Sequence, residues 1–214
     1  MIPKIIHLCW FGGGDYSAIM KKCLATIEEF LPEYDVMLWN EDNFNVDERR
    51  FTREAYLEKK YAFVSDVCRL QALKNYGGVY LDTDVEIKKS LDSFLAHEFF
   101  IGMESDVLVC TAVMGSVKGY PLIDELLKYY STKSFYRYPM LKFIYKKMNT
   151  KPNTVIIAKL LLEKGFKRVN VFQELPSGVV IYPSEYFSPI DYKTLKFTSS
   201  DNTFAIHHFT NTWK

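Results

Sequence analysis

Apolar residues fill Ile2 to Phe11 almost without a break, the pattern of a strand covered on both faces. Gly12-Gly13-Gly14 interrupts it, and Asp15 or Ser17 can cap a following helix. Ile19, Met20, Cys23, Leu24, Ile27 and Phe30 then recur at helical spacing up to Pro32, and Tyr34 to Trp39 alternates like a second strand. Strand, helix and strand in forty residues open a parallel α/β sheet. Glu54 to Tyr76 reads as mostly helical, with Gly77 as its cap. Further on, Phe99 to Met103, Val107 to Met114, Val169 to Phe172, Val179 to Tyr182 and Phe204 to Phe209 predict strands. Leu122 to Tyr130 and Asn153 to Lys164 predict helices, the second capped by Asn153 or Thr154. No repeat, low-complexity linker or clear boundary divides the chain, so residues 1–214 are expected to form one α/β unit.

Within this pattern, Tyr76-Gly77-Gly78-Val79-Tyr80-Leu81-Asp82-Thr83-Asp84-Val85 carries the clearest chemistry. The two acids sit at the end of a short apolar strand, whose alternation makes Asp82 and Asp84 point the same way. Two like charges held side by side repel unless a cation separates them. Mg²⁺ or Mn²⁺, hard ions that take oxygen ligands and leave room for phosphate, are the natural occupants. On the preceding helix Asp66 and Arg69 are three apart and share a face. A surface ion pair is the plain alternative, but Phe63-Val64 before and Val67-Cys68 between are too apolar for a wet helix.

Near the other end, His207 and His208 lie in an apolar strand followed by Asn211, Thr212 and Trp213. Neighbouring strand residues face opposite ways, so one histidine can enter a given site, as a metal or phosphate ligand or as a satisfied core residue. Trp10 ends the first strand, where ligands of open α/β sheets bind, and its indole can stack on a base or pack in the core.

Composition narrows the function. The 27 basic and 26 acidic residues nearly cancel, which does not suggest a nucleic-acid binder. No apolar run approaches the roughly 18 residues of a membrane span, and Met1 to His7 lacks a signal-peptide core. Cys9, Cys23, Cys68 and Cys110 show no ligand-like spacing and read as reduced, buried thiols, so a cytoplasmic setting is expected. Residues 128–148 depart from the average: six cations and no acid interleave with seven aromatics, including Tyr130, Phe135, Tyr136, Tyr138 and Tyr145. That mixture suits peripheral contact with an anionic membrane, or a solvated hairpin whose aromatics pack inward.

Taken in order, several segments resemble glycosyltransferase family 32, whose sugar-binding region contains a D-x-D motif. They are Ile2-Pro3-Lys4-Ile5-Ile6-His7 with Trp10-Phe11-Gly12-Gly13, Trp39-Asn40-Glu41-Asp42, Tyr61-Ala62-Phe63-Val64-Ser65-Asp66 with Arg69, Tyr76 to Asp84, Tyr182 to Phe187, and Ala205-Ile206-His207-His208-Phe209 with Trp213. The resemblance implies a GT-A fold, a divalent cation and a retaining hexosyltransferase. It implies a nucleotide diphosphate sugar as donor, UDP-linked first, and a glycan or lipid-linked acceptor in surface-polysaccharide assembly. By position, Trp10 would stack on the donor base, and Asp66 and Arg69 would hold the sugar. Tyr80 and Asp82 would meet the nucleotide, Asp82 and Asp84 the metal. His207, Thr212 and Trp213 would close over metal and diphosphate. Where relatives carry Gly-Pro and Gly-Ser-Trp, this chain reads Thr150-Lys151-Pro152 and Asn211-Thr212-Trp213.

Two other classes remain open on the residues alone. Asp82-Thr83-Asp84-Val85 also fits the nucleophile motif of haloacid-dehalogenase-type phosphatases, with Asp82 attacking, and a non-catalytic sugar-nucleotide binder could keep the same fold.

Overall fold

A computed structural model describes residues 1–141, 144–198 and 200–210. Among these, seven strands form one mixed sheet in the order β2-β1-β3-β6-β5-β8-β7, and two more, β4 and β9, pair separately. The strands are β1 (Ile5–Cys9), β2 (Asp35–Trp39), β3 (Gly78–Leu81), β4 (Val85–Ile87), β5 (Phe99–Met103), β6 (Val109–Ser116), β7 (Gln173–Glu174), β8 (Val179–Tyr182) and β9 (Ala205–His207). Helices α1 (Ala18–Phe30), α2 (Arg50–Leu57), α3 (Tyr61–Tyr76), α4 (Pro121–Ser131), α5 (Asn153–Glu163) and α6 (Ser184–Phe187) cover both sheet faces. The expected α/β class and the opening strand–helix–strand unit are present, with β1 parallel to both β2 and β3.

Alternation along the strands sorts side chains into two cores. Tyr80, Phe99, Ile101 and Met114 face one core with α3, α4 and α5. Val79, Leu81, Phe100 and Val113 face the other with α1, β4 and α6. Helix α3 lies between the sheet and its neighbouring helices and is buried along most of its length, Asp66 and Arg69 included. The exposed positions of this helix gather at its end, where Lys74 pairs with Asp124 at 2.6 Å, well away from Asp66 and Arg69.

Several boundaries differ from the pattern reading. The helical stretch before Gly77 is two helices, broken where Lys59 takes φ +55°. Val169 to Phe172 is not a strand. Gln173 hydrogen-bonds Lys167 and Val169, closing a loop that leaves Val169, Val171 and Phe172 exposed. Asn153 does not cap α5 through its side chain. Pro152 holds the cap position, and Asn153 turns inward. In the aromatic-basic segment, Tyr130, Phe135 and Tyr136 are buried, whereas Tyr138, Met140, Ile144 and Tyr145 are exposed. Lys142 and Phe143 of that segment lie outside the described residues. The four cysteines are free and buried. Among the described residues no helix is long and apolar enough to cross a membrane.

The junction of α3 and β3 sets the height of everything that follows. Gly77 adopts φ +69° and ψ −163°, a region essentially reserved for glycine, and an added Cβ would stand 2.7 Å from the Lys118 backbone nitrogen. Gly77→Ala is therefore expected to destabilise the fold by about 1–3 kcal/mol or more. Urea unfolding should show a lower midpoint at an unchanged slope. A midpoint equal to that of the parent protein would remove this constraint.

Candidate active site

The carboxylate pair does not lie on one strand. β3 ends at Leu81, and Asp82-Thr83-Asp84 makes a turn, with the Val85 amide donating to the Asp82 carbonyl at 3.1 Å. The chain then passes from the large sheet into β4, which pairs with β9. Asp82 and Asp84 still converge, because the turn carries both over the end of β3. Val85 is in register with His207, which brings a residue more than a hundred positions away to the same spot. One ligand atom each from Asp82, Asp84 and His207 lies within 4.8 Å of the others.

Neighbours fix how each group is presented. Asp82 Oδ1 accepts from the Tyr80 hydroxyl at 2.6 Å and meets Arg69 Nη2 at 3.3 Å. Asp84 Oδ2 accepts from the Thr210 amide at 2.9 Å and the Thr210 hydroxyl at 2.8 Å, while Asp84 Oδ1 faces His207 Nε2 at 3.5 Å. His207 Nδ1 sits 3.8 Å from Cys110 Sγ, so the other nitrogen is the one turned to the carboxylates. Burial holds the His207 pKa below its ordinary value despite Asp84, so the ring is kept neutral, the form that ligates metals. His208 faces the other way, toward Glu86 at 3.0 Å.

Arg69 is the cation inside this group. Its Nη1 donates to the Thr111 carbonyl at 2.7 Å, its Nη2 lies 3.2 Å from Asp66, and its guanidinium lies over the Tyr80 ring at 4.3 Å. Tyr80 itself is 1% exposed and underlies Asp82. Burial pushes Asp66 up to about 6; Arg69 opposes the shift and Asp82 adds to it. Two residues escaped the sequence reading. Glu104, one position beyond β5, is half-buried, and desolvation, with Asp82 adding to it, pushes its carboxyl up to about 7. Asn153, 3% exposed, accepts from the Tyr130 hydroxyl at 3.3 Å and adjoins Asp66. Glu104 reads as an ordinary loop acid and Asn153 as a helix cap, so only the fold reveals them.

The donor set fits a hard divalent cation. Two carboxylates and a neutral imidazole supply oxygen and nitrogen ligands of the kind Mn²⁺ and Mg²⁺ accept. Two unit charges about 4 Å apart repel by roughly 4 kcal/mol at an effective dielectric of 20, and Arg69 is already shared between Asp66 and Asp82. The surplus negative charge calls for a cation. Asp82 is poorly disposed as a phosphatase nucleophile, since one of its oxygens is tied to Tyr80 and Arg69.

Trp10 lies beyond the end of β1, on the sheet edge where β3 delivers Asp82. It is half-buried, its indole N–H donating to the Gly14 carbonyl at 2.7 Å and its ring tilted against Tyr16. Thr212 and Trp213, with Asn211, lie outside the described residues.

The family model described as "Glycosyltransferase sugar-binding region containing DXD motif" matches residues 17–101, which hold Asp66, Arg69, Asp82 and Asp84. "Inositol phosphoceramide mannosyltransferase 3" of Schizosaccharomyces pombe is 28% identical over 152 residues, 67% of this chain and 42% of that protein. "Mannosyl phosphorylinositol ceramide synthase SUR1" of Saccharomyces cerevisiae is 31% identical over 142 residues, 64% of this chain and 36% of that protein. The matches thus span less than half the length of these curated relatives. A solved glycosyltransferase involved in glycosylation of the major capsid of PBCV-1 shares the fold at 12% identity, with 97% of this chain and 95% of that one aligned at a TM-score of 0.50.

The raised Asp66 carboxyl makes a pH test possible. Between about 3.8, where the unfolded chain releases this proton, and about 6, where the folded protein does, the folded state binds more protons. Stability therefore declines as pH rises through that window, by on the order of 3 kcal/mol from this group. Asp66→Asn should remove that part of the slope, measured as urea midpoints of both proteins across the window. Parallel pH profiles would show that Asp66 is not held protonated.

Proposed function

We propose that this chain, whose residues 17–101 match the model of the glycosyltransferases with a DXD motif in their sugar-binding region, is a metal-dependent, retaining hexosyltransferase. It takes the hexose from a nucleotide diphosphate sugar and delivers it to a hydroxyl of a glycan or lipid-linked acceptor. The observation that carries this reading is the convergence of Asp82, Asp84 and His207 beside a buried Arg69. UDP-linked sugars are the first donors to test. Mannosyl donors stand beside them, because the names of two relatives specify mannosyl transfer to phosphoinositol ceramides. Those names also direct attention to acceptors that carry a phosphate. Assembly of a surface glycan at the inner face of a membrane, with the protein peripheral to it, is the wider setting proposed.

Asp82, Asp84 and His207 would hold Mn²⁺ or Mg²⁺, which when bound neutralises the charge that collects on the leaving diphosphate. The protein's own groups do the positioning. Tyr80 and Arg69 hold Asp82 in one rotamer, and Thr210 does the same for Asp84. Asp66, Arg69 and Asn153 form the buried wall against which the sugar sits. Trp10, at the same sheet edge, offers a ring face to the base. Retention proceeds by attack on the face the leaving group vacates: the acceptor oxygen bonds to the anomeric carbon as the bond to the diphosphate breaks. The acceptor proton passes to a departing phosphate oxygen.

In the absence of acceptor, the protein with Mn²⁺ is expected to hydrolyse its nucleotide sugar slowly. Chelation should stop this and added Mn²⁺ should restore it. Asp84→Asn should lower kcat by roughly a hundredfold or more while its circular dichroism stays that of the parent. Parent-like turnover in that variant, or turnover indifferent to chelator, would sink the reading.

A further inference from the structure

A hollow of about 820 Å³ opens between the end of α4 and residues 134–139 and 147–151, and neither Asp82 nor Asp84 lines it. Five cations line it, Arg50, Lys133, Arg137, Lys147 and Lys151, with no carboxylate residue among the lining side chains. The chain as a whole is almost neutral, so this concentration is local. Arg50 is paired with Glu54 at 2.8 Å, and Lys133 lies over the Tyr129 ring at 5.1 Å. Arg137, Lys147 and Lys151 have no ion-pair partner among the described residues, whereas the adjacent Lys146, which does not line the hollow, pairs with Glu58 at 2.7 Å. Glu54 and Glu58 stand behind the wall, bonded to Arg50, Ser134 and Tyr136, and the three cations they leave unpaired favour an anionic ligand in the hollow. Arginine's planar fork matches the oxygens of a phosphate.

The hollow also adjoins the candidate active site. Its wall includes Ser131, which follows Tyr130, and Lys151, two residues before Asn153. Tyr130 and Asn153 are hydrogen-bonded to each other and back onto Asp66. A ligand seated here would lie next to the sugar end of the site, where an acceptor must approach. The size suits a headgroup: small-molecule sites run from about 300 to 1,000 Å³. The same chain excursion carries Met140, Ile144 and Tyr145 with their side chains in solvent. An apolar tip beside a basic hollow is the arrangement by which a protein rests on an anionic lipid surface.

We propose that this hollow binds the phosphate ester of an anionic acceptor headgroup. The assignment deepens the transferase reading and rests on it. The phosphate could be borne by a membrane lipid or by a soluble ester. Lipid-borne phosphate is the source that the exposed tip favours.

The full chain is tested with two probes: glycerol 1-phosphate by calorimetry, and phosphatidylcholine vesicles with and without phosphatidylinositol by co-sedimentation. Saturable binding of glycerol 1-phosphate, or retention on the phosphatidylinositol vesicles alone, is expected. Arg137→Gln combined with Lys147→Gln should weaken it roughly thirtyfold. Nucleotide-sugar hydrolysis with Mn²⁺ should stay within about twofold of the parent in that variant, since neither residue touches the donor site. Binding to vesicles but not to glycerol 1-phosphate assigns the lipid source, and the reverse assigns a soluble ester. Failure of both probes to bind a protein that hydrolyses its donor, or equal binding by parent and variant, overturns the proposal. Probe binding without hydrolysis of any nucleotide sugar would instead remove the transferase reading and leave the hollow as an anion site.

Discussion

One buried cation organises the centre of the molecule. Arg69 is 4% exposed and touches Asp66, Asp82, the Thr111 carbonyl and the Tyr80 ring. These partners come from α3, the turn after β3, β6 and β3, so the guanidinium joins a helix to the sheet it covers. A charge this deep is tolerable only because each side of it is satisfied. Removing one partner of such a buried pair typically costs 3–5 kcal/mol, more than the pair itself contributes. Arg69 therefore acts less as a source of stability than as a constraint. Any arrangement that moves Asp82 away strands a charge in the core. The carboxylate nearest the proposed metal is held by that penalty.

A second constraint joins distant parts of the chain. β4 and β9 form a two-stranded sheet of three residue pairs, with Val85 opposite His207. The His208 amide also donates to the Asp84 carbonyl at 3.1 Å. Closing a loop of more than a hundred residues costs only slightly more entropy than closing one half as long, so the separation is affordable. What it achieves is a site whose third ligand arrives last. Asp82 and Asp84 stand on the rigid end of the sheet, and His207 and Thr210 are added by a short pairing at the rim. The pairing is short, but Val85, Ile87 and Ala205 are buried in the second core, so the rim is anchored as firmly as the sheet beside it.

Much of this was legible in the residues. The run of β1, the helix after Ser17 and the carboxylate pair behind two glycines are local patterns, and local patterns survive folding. Asp66 and Arg69 could be paired from helical spacing, and the apolar residues around them already argued against a wet surface. What was not legible is non-local. The strand rule brought Asp82 and Asp84 together, yet the real cause is a turn that leaves one sheet for another. Period-two alternation cannot reveal a change of sheet. Asn153 follows a proline at the start of a helix, so capping was the natural inference, and only the fold shows it turned inward against Tyr130 and Asp66. Glu104 carries no sequence signal, since its raised pKa comes from partial burial near Asp82.

Composition concealed the division of charge that the fold creates. A chain with 27 basic and 26 acidic residues gives no hint of an electrostatic axis. Folding nevertheless gathers Asp66 and Asp82 on one arginine, with Asp84 and Glu104 near Asp82, and gathers five cations around a hollow elsewhere. Each cluster is unfavourable to itself, and both persist because their neighbours are packed. The acidic end can be balanced by a divalent cation that a diphosphate then shares, and the basic hollow by an anionic headgroup. Between them stand Tyr130 and Asn153, buried and hydrogen-bonded, a polar seam with little charge of its own. Donor and acceptor would thus be drawn to separate ends by opposite fields and meet where the field is weakest. A transferase would benefit from that order, because neither substrate would compete for the other's site.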